Sequence, residues 1–374
     1  MENYFLIVPS EILMKILVNI PDLSNTNYMS INTHLNAAIK QIFSYYNKLF
    51  SNIVHDWKNN TKELIKKLVS SDNANALLFL LNNFNKNNNI LGYINFYSAY
   101  YGNMYLLGLI KPQNYNIVSS AAALSGNLEV VMYAVERGAN NFNTIAYNAA
   151  LTDHKDVFKY AINNGANNKE FIAAGAALGG NIEYIILLKP SDFNTIAYNA
   201  AKGGHLFIVE YAVKNGANDF NRIACGAAEG KHLNIIEYAV KNGANDFNRI
   251  ACCAAKANNL DIVRHIIQVY HANDFFRIAQ CAAEGGSLEV IKYFVKRGVS
   301  NLNLLAYTAA KFGYFDIVKY LIKKGASDLN MIVLGAAKGG YFNIIKYLIG
   351  LGAINFEEII EIAKKYGYKI DLNA

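Results

Sequence analysis

Cysteine and histidine are the residues of this chain whose chemistry could serve metal binding or catalysis. The recurrent ones are Cys225, Cys252, Cys253 and Cys281, with His154, His205 and His232. Thiolates and imidazoles bind zinc and act as nucleophiles or bases. A zinc site built from thiolates needs a close spacing such as C-x2-C, which these cysteines lack. Several of them are instead 27 residues apart, and we therefore expect structural roles, with no metal and no cofactor.

The 27-residue spacing belongs to an internal repeat that runs through most of the chain. An Ala-Ala pair recurs, with second members at Ala123, Ala150, Ala177, Ala201, Ala228, Ala255, Ala283, Ala310 and Ala337. A Gly-Ala pair follows most of them in register, and the stretch NGANDFNRIAC occurs from Asn215 and again from Asn242. Self-similarity at a fixed period is the signature of a repeat architecture.

Each repeat has the pattern of two helices joined by a glycine-rich turn. In the best-preserved copy the first helix spans about residues 220–229 and the second about 233–242. Small alanines at i, i+3 and i+4 share one face of the first helix and allow a neighbour to approach closely. Gly243 suits a left-handed cap, and either Asp219 or Asn221 can cap the first helix. One such pair cannot bury its apolar faces alone, so stacked pairs are expected to form an all-α solenoid.

The second-helix pattern GYFDIVKYLIKKGA at Gly313–Ala326, the Ala-Ala pair and the turn ending at His205 resemble the ankyrin repeat. The resemblance covers about residues 90–355. The usual period is about 33 residues, and the deficit here falls in the loop that forms the projecting β-hairpin. The resemblance therefore implies short ankyrin-like helix pairs without that hairpin, turn histidines with a structural role, and a protein-binding concave face of first helices.

Variable positions around the Ala-Ala pair are the candidate contacts on the concave face. Carried over from the ankyrin pattern, they are Tyr147, Asn148, Tyr198, Asn199, Lys202, Glu229, Lys256, Glu284, Tyr307, Thr308, Lys311 and Lys338. Lysine and glutamate alternate at one of these positions, and this alternation favours a protein partner over a nucleic acid. The alternative is that several of them only fill the groove or face water.

The N-terminal segment lacks the repeat and resembles an F-box. It reads Val8-Pro9-x-Glu11-Ile12, then Lys15-Ile16-Leu17, then Ile20-Pro21-Asp22-Leu23. F-boxes dock on the Skp adaptor of cullin-based ubiquitin ligases, which would make the apolar contacts Pro9, Ile12, Leu13, Ile16, Leu17, Ile20 and Leu23. The usual Trp near the end is missing, with Phe50 in its place. The alternative is a plain three-helix cap on the solenoid.

These patterns predict four segments. They are an F-box-like domain at 1–55, connecting helices or a degenerate repeat at 56–92, a solenoid at 93–355 and a capping helix at 356–374. An F-box-like head before many Asn-, Ile-, Lys- and Tyr-rich repeats resembles the ankyrin proteins of giant DNA viruses. That resemblance implies a non-enzymatic, virus-encoded substrate adaptor in the host cytoplasm, with the nucleus left open.

Composition and charge limit the other classes of protein. Hydrophobic residues make up 53% of the chain and charged residues 17%, so it can bury a core. No apolar run approaches the ~18 residues of a membrane span, and no secretory signal is expected. The net charge of +7 is mild. Two alternatives remain: a plain interaction scaffold without a ligase link, and a nucleic-acid binder using Lys202, Lys256, Lys311 and Lys338. Small-molecule substrates are not expected.

Overall fold

The computed structural model describes residues 61–70, 77, 88–353 and 356–368. Within them there are 22 α-helices and no β-strand. The expected all-α fold of stacked short helix pairs is therefore confirmed. The F-box-like residues lie outside the described residues, so their predicted role stays a prediction. Backbone contacts divide the chain into two compact units, Met1–Asn167 and Asn168–Ala374, which are described separately.

The first unit contains one isolated helix and three helix pairs among its described residues. The isolated helix is α1, Thr61–Ser70. The pairs are α2, Asn88–Tyr100, with α3, Met104–Ile110; α4, Tyr115–Ser125, with α5, Leu128–Glu136; and α6, Phe142–Leu151, with α7, Lys155–Asn163. Helix α1 packs on α2, and an apolar cluster that includes Ile65, Leu77 and Ile94 lies there with exposures of 0%.

The second unit contains seven helix pairs and a final single helix. The pairs are α8, Lys169–Gly179, with α9, Ile182–Leu188; α10, Phe193–Gly203, with α11, Leu206–Lys214; α12, Phe220–Gly230, with α13, Leu233–Lys241; α14, Phe247–Lys256, with α15, Leu260–Tyr270; α16, Phe275–Gly285, with α17, Leu288–Lys296; α18, Leu302–Lys311, with α19, Phe315–Lys323; and α20, Leu329–Gly339, with α21, Phe342–Gly350. The last helix is α22, Phe356–Lys365.

The alanine pairs explain why successive first helices stack closely. In the second unit each first helix packs against the first helix of the next repeat and against its own second helix. Both alanines of the pair are fully buried in α10, α12 and α14. Alanine has a small side chain and the best helix propensity, so it permits close approach of two helices without weakening either one.

The glycine pair between the two helices has two separate functions. Gly204 caps α10 in the left-handed region, with φ of 86°, which favours a residue without Cβ. Gly203 is still helical, but a Cβ there would collide with the carbonyl oxygen of Leu178 on the neighbouring first helix. The first glycine therefore allows helix contact, and the second ends the helix.

The N-cap of the first helix is the aspartate of the repeated Asp-Phe-Asn motif. Asp219 caps α12 because its carboxylate accepts a hydrogen bond from the Arg222 N–H at 2.9 Å. Asp246 caps α14 in the same way through Arg249, at 3.0 Å. The choice that the pattern left open is thereby settled, and the asparagine is available for another role.

Candidate protein-binding surface

A tyrosine and two opposite charges form the best-defined cluster on the first-helix face of the second unit. Tyr198 and Lys202 lie one turn apart on α10, and Glu229 lies at the end of α12. The Tyr198 hydroxyl donates a hydrogen bond to Glu229 Oε2 at 2.9 Å, and Lys202 Nζ lies 2.9 Å from the same oxygen. One carboxylate oxygen thus links two consecutive repeats.

Burial and the contact with Glu229 change the acid–base behaviour of this tyrosine. Desolvation of the Tyr198 ring, followed by its hydrogen bond to Glu229, raises the pKa of the phenol well above its ordinary value of 10.0. The phenol therefore remains a protonated hydrogen-bond donor at neutral pH. The arrangement suits a fixed polar surface rather than proton transfer.

A glycine on the next helix makes room for the tyrosine. The Tyr198 ring and carbonyl oxygen lie beside Gly226 on α12, and a Cβ on Gly226 would collide with that oxygen. The same relation holds between Tyr307 on α18 and Gly335 on α20. In both places the glycine lies 28 residues after the tyrosine. The tyrosine hydroxyl contacts a charged side chain that lies 31 residues after the tyrosine itself. That residue is Lys338 for Tyr307, at 2.9 Å.

The sign of the charge at the position of Lys202 and Glu229 differs among the repeats of the second unit. Lys256 Nζ lies 3.5 Å from Glu284 Oε2, so this pair repeats the arrangement of Lys202 and Glu229. Lys311 and Lys338 follow at the equivalent position of the next two repeats, without an intervening carboxylate. The first-helix face therefore presents neutralised pairs first and lysines alone afterwards.

Three of the predicted contacts donate hydrogen bonds to backbone carbonyl groups. Asn148 is 9% exposed and donates its side-chain N–H to the Ser120 carbonyl at 2.9 Å. Thr308 is 5% exposed and donates to Leu304 O at 2.9 Å. The half-buried Asn199 donates to Thr195 O at 2.8 Å. The burial of Asn148 and Thr308 and their bonds to backbone carbonyls favour the alternative that these two residues fill the groove, and their contact with a partner stays a prediction.

The remaining predicted residues are distributed over both units. Tyr147 is half-buried on α6 of the first unit. The others belong to first helices of the second unit: Tyr198, Lys202, Glu229, Lys256, Glu284, Tyr307, Lys311 and Lys338. The structure brings these eight together only as neighbours in successive repeats, which forms a row and not an enclosed site.

The four cysteines form two thiol pairs between neighbouring first helices. Cys225 on α12 contacts Cys253 on α14, and Cys252 on α14 contacts Cys281 on α16. The thiol contact and burial together raise the pKa of Cys225 and of Cys252. All four are free thiols. Within the described ranges, no group of three or more His, Cys, Asp or Glu side chains could hold a metal ion.

Asparagine bridges between repeats are the feature that sequence reasoning missed. Asn221 Oδ1 accepts hydrogen bonds from the backbone N–H groups of Asn245 and Asp246, both at 2.9 Å. Asn194 and Asn248 make the same two bonds to the loop of the following repeat. The bridges hold adjacent loops together without a β-hairpin. The recurrence of Asn directly after Phe, in register with the repeat, was the available signal.

The turn histidines lie over the glycine caps of the preceding repeat. His205 lies over Gly180, and His232 lies over Gly204. The His205 ring also places Nε2 3.2 Å from the carbonyl oxygen of Leu178. Each ring therefore covers the end of a first helix, as the ankyrin resemblance implied.

Comparison with known proteins supports the repeat reading for part of the chain. A family model described as ankyrin repeats (3 copies) matches residues 250–333. No curated protein matches the chain. No helix in the described part is long and apolar enough to cross a membrane.

The fold and the match define a class of protein. Residues 250–333 match ankyrin repeats, and the described part of the chain is a series of stacked helix pairs. Such repeats are typically non-enzymatic scaffolds for protein–protein interaction. Here the repeats have a 27-residue period, and polar asparagine bridges link the loops of neighbouring repeats.

Proposed function

We propose that the first-helix face of the second unit binds a target protein. The observation that carries this proposal is the row of tyrosine and charged side chains at one position of consecutive repeats. The helices beneath it have fully buried opposite faces, so the row is held on a rigid support. Rigid presentation lowers the entropy that is lost on binding.

A photo-crosslinker placed on this face tests the proposal. Benzoyl-phenylalanine would replace Lys256, whose side chain is 60% exposed. The control is the same replacement at Glu237, which is exposed on the second helix α13. We expect a discrete crosslinked protein, identified by mass spectrometry, from position 256 and not from position 237. Equal crosslinking at the two positions would place the target elsewhere.

The proposal extends to the role of a ubiquitin-ligase adaptor encoded by a giant DNA virus. The F-box-like residues within 1–55 would bind the Skp adaptor of a host ligase in the cytoplasm, and the repeats would present the target for ubiquitylation. Support comes from the apolar pattern of Pro9, Ile12, Ile16 and Leu17 and from the long scaffold that follows it.

Co-purification of the intact chain with the Skp adaptor tests this role. Changing Ile16→Asp and Leu17→Asp together should abolish capture. Changing Ser10→Asp and Asn19→Asp together adds the same charge outside the predicted contact set and should leave capture intact. If the intact chain never captures the adaptor, the plain scaffold without a ligase link is the better description.

A further inference from the structure

Three consecutive turns at the end of the second unit share one pattern. They read Lys311-Phe312-Gly313-Tyr314, Lys338-Gly339-Gly340-Tyr341 and Lys365-Tyr366-Gly367-Tyr368. The lysine lies at the end of a first helix, and the tyrosine precedes the next helix or ends the described chain. Four earlier turns of this unit carry other pairs at the same two positions: Lys202 with His205, Glu229 with His232, Lys256 with Asn259, and Glu284 with Ser287.

The tyrosine rings of these turns are fixed but remain accessible. Each ring lies over the positive-φ glycine of the preceding repeat, so closely that no Cβ would fit there. Tyr314 is 36% exposed, Tyr341 36% and Tyr368 37%. Phe312 and Tyr366 beside them are 41% and 51% exposed. Five aromatic rings therefore line one edge of three successive repeats.

The lysines beside these rings lack the carboxylate partners found in earlier repeats. Lys202 and Lys256 pair with glutamates of the next repeat at 2.9 and 3.5 Å. Among the described residues, Lys311, Lys338 and Lys365 form no ion pair. Lys338 donates to the neutral Tyr307 hydroxyl, and Lys311 Nζ lies 5.6 Å from the centre of the Phe312 ring. These three lysines thus lie outside ion-pair distance of the described carboxylates.

We propose that this basic–aromatic edge, formed by the three lysines and five rings of these turns, binds an extended acidic segment of a partner protein. The inference rests on the proposed function and specifies the chemistry of one contact. Neighbouring helices pack ~8–10 Å apart. A peptide in the polyproline II conformation advances ~3.1 Å per residue with three residues per turn, so every third side chain lies on one face, ~9 Å from the next. Carboxylates at every third residue would therefore face successive lysines, and the side chains between them would lie on the rings.

The charges of the earlier repeats favour a short acidic peptide over a nucleic acid. A polyanion that continued along the lysine position would meet Glu284 and then Glu229. The neutralised pairs there offer no net positive charge to a long uniform chain of phosphates, whereas a peptide segment needs only the last three turns. Binding should weaken as salt increases, because the contact depends on exposed charges.

Fluorescence anisotropy with the full chain and a defined peptide tests the inference. The probe is a fluorescein-labelled peptide of about fifteen residues with Glu at every third position, and its control has Gln at those positions. The test variant carries Lys311→Glu, Lys338→Glu and Lys365→Glu. The matched control carries Lys214→Glu, Lys241→Glu and Lys323→Glu, which make the same charge change at the last residues of second helices.

We expect the edge variant to weaken binding of the Glu peptide by about tenfold or more, and the matched control by less than about twofold. An exposed ion pair contributes little by itself, but the variant loses three of them together and makes each contact repulsive. Tyr314→His with Tyr341→His tests the rings without removing the turn packing, since His205 and His232 occupy the same position over glycines. This variant should keep its thermal midpoint and lose about threefold in affinity.

Several outcomes would overturn the inference. Equal binding of the Glu and Gln peptides would remove the role of charge, and equal losses in the two lysine variants would remove the role of position. A single-stranded oligonucleotide of about twelve nucleotides that binds more tightly than the peptide, and loses affinity in the edge variant, would identify a nucleic-acid site instead. Absence of peptide binding with intact crosslinking at position 256 would refute this inference and leave the proposed function standing.

Discussion

The asparagine bridges give the most direct test of how the repeats hold together. In the variant Asn221→Ala, the loop of the following repeat loses its acceptor. The N–H groups of Asn245 and Asp246 each lose a hydrogen bond of 2.9 Å. The Asn221 side-chain amide also lies 3.3 Å from Asn245 Oδ1, and this weaker contact is lost as well.

The magnitude follows from two well-formed bonds at an exposed site. A hydrogen bond contributes a net ~0.5–1.5 kcal/mol, and water can partly replace the lost acceptor here. We therefore expect Asn221→Ala to lower the free energy of unfolding by about 1–2 kcal/mol. For a unit of this size such a loss lowers the thermal midpoint by about 2–8 °C.

Urea unfolding followed by circular dichroism measures the change, and amide hydrogen exchange locates it. Protection of the Asn245 and Asp246 N–H groups should fall most. Asn242→Ala is the matched control, because the Asn242 side chain bonds only to Tyr238 O within its own helix pair. Because Asn242→Ala loses one bond and not two, we expect it to lower the free energy of unfolding by about half as much as Asn221→Ala. Equal losses in the two variants, or unchanged protection at residues 245 and 246, would refute the reasoning.

Three further predictions concern the same unit. Gly226→Ala places a Cβ against the Tyr198 carbonyl oxygen and should cost about 1–3 kcal/mol in urea unfolding; an unchanged midpoint would contradict it. Hydrogen bonds from the Thr195 hydroxyl, and then from the Thr195 N–H, hold the pKa of Asp192 below its usual 3.8. The ionised Asp192 carboxylate therefore stabilises the folded state above about pH 4, and this contribution is lost as the pH falls through the pKa of Asp192 in the folded state. Asp192→Asn should therefore reduce the acid-induced loss of thermal midpoint, and equal losses in both proteins would exclude the contribution. Because contact with Cys281 and burial raise the pKa of Cys252, iodoacetamide should alkylate it more slowly in the folded chain than in urea at neutral pH, as peptide mass spectrometry would show.

The helix pairs could be predicted because the repeat period is visible directly in the amino-acid sequence. Ala-Ala pairs at a constant spacing place small side chains on one face of each first helix, and the structure buries them completely. Asp219 is the N-cap, one of the two candidates that local pattern allowed. Local pattern could not separate them, since aspartate and asparagine cap helices about equally well.

The details of the candidate surface depended on contacts between repeats. The side chain of Asn221 bonds to a loop 24 residues further along the chain. The sequence of a single helix therefore does not reveal this contact. The same holds for the tyrosine–glycine pairing of Tyr198 and Gly226. Alternating charge was visible in the sequence, but only the structure shows that Glu229 neutralises Lys202 while Lys311 lacks such a partner.

The asparagine bridge also bears on how such a chain can lengthen or shorten during evolution. In the second unit, Asn194, Asn221 and Asn248 each bind the loop of the following copy, in the same geometry. If a duplicated segment of 27 residues were inserted between two of these copies, its loop would donate to the asparagine of the preceding copy. Its own asparagine would accept from the loop of the following copy. The near-identical stretches from Asn215 and Asn242 are what a recent copying event would leave. Phe276 replaces the asparagine at one junction, and a copy inserted after it would lack this pair of hydrogen bonds.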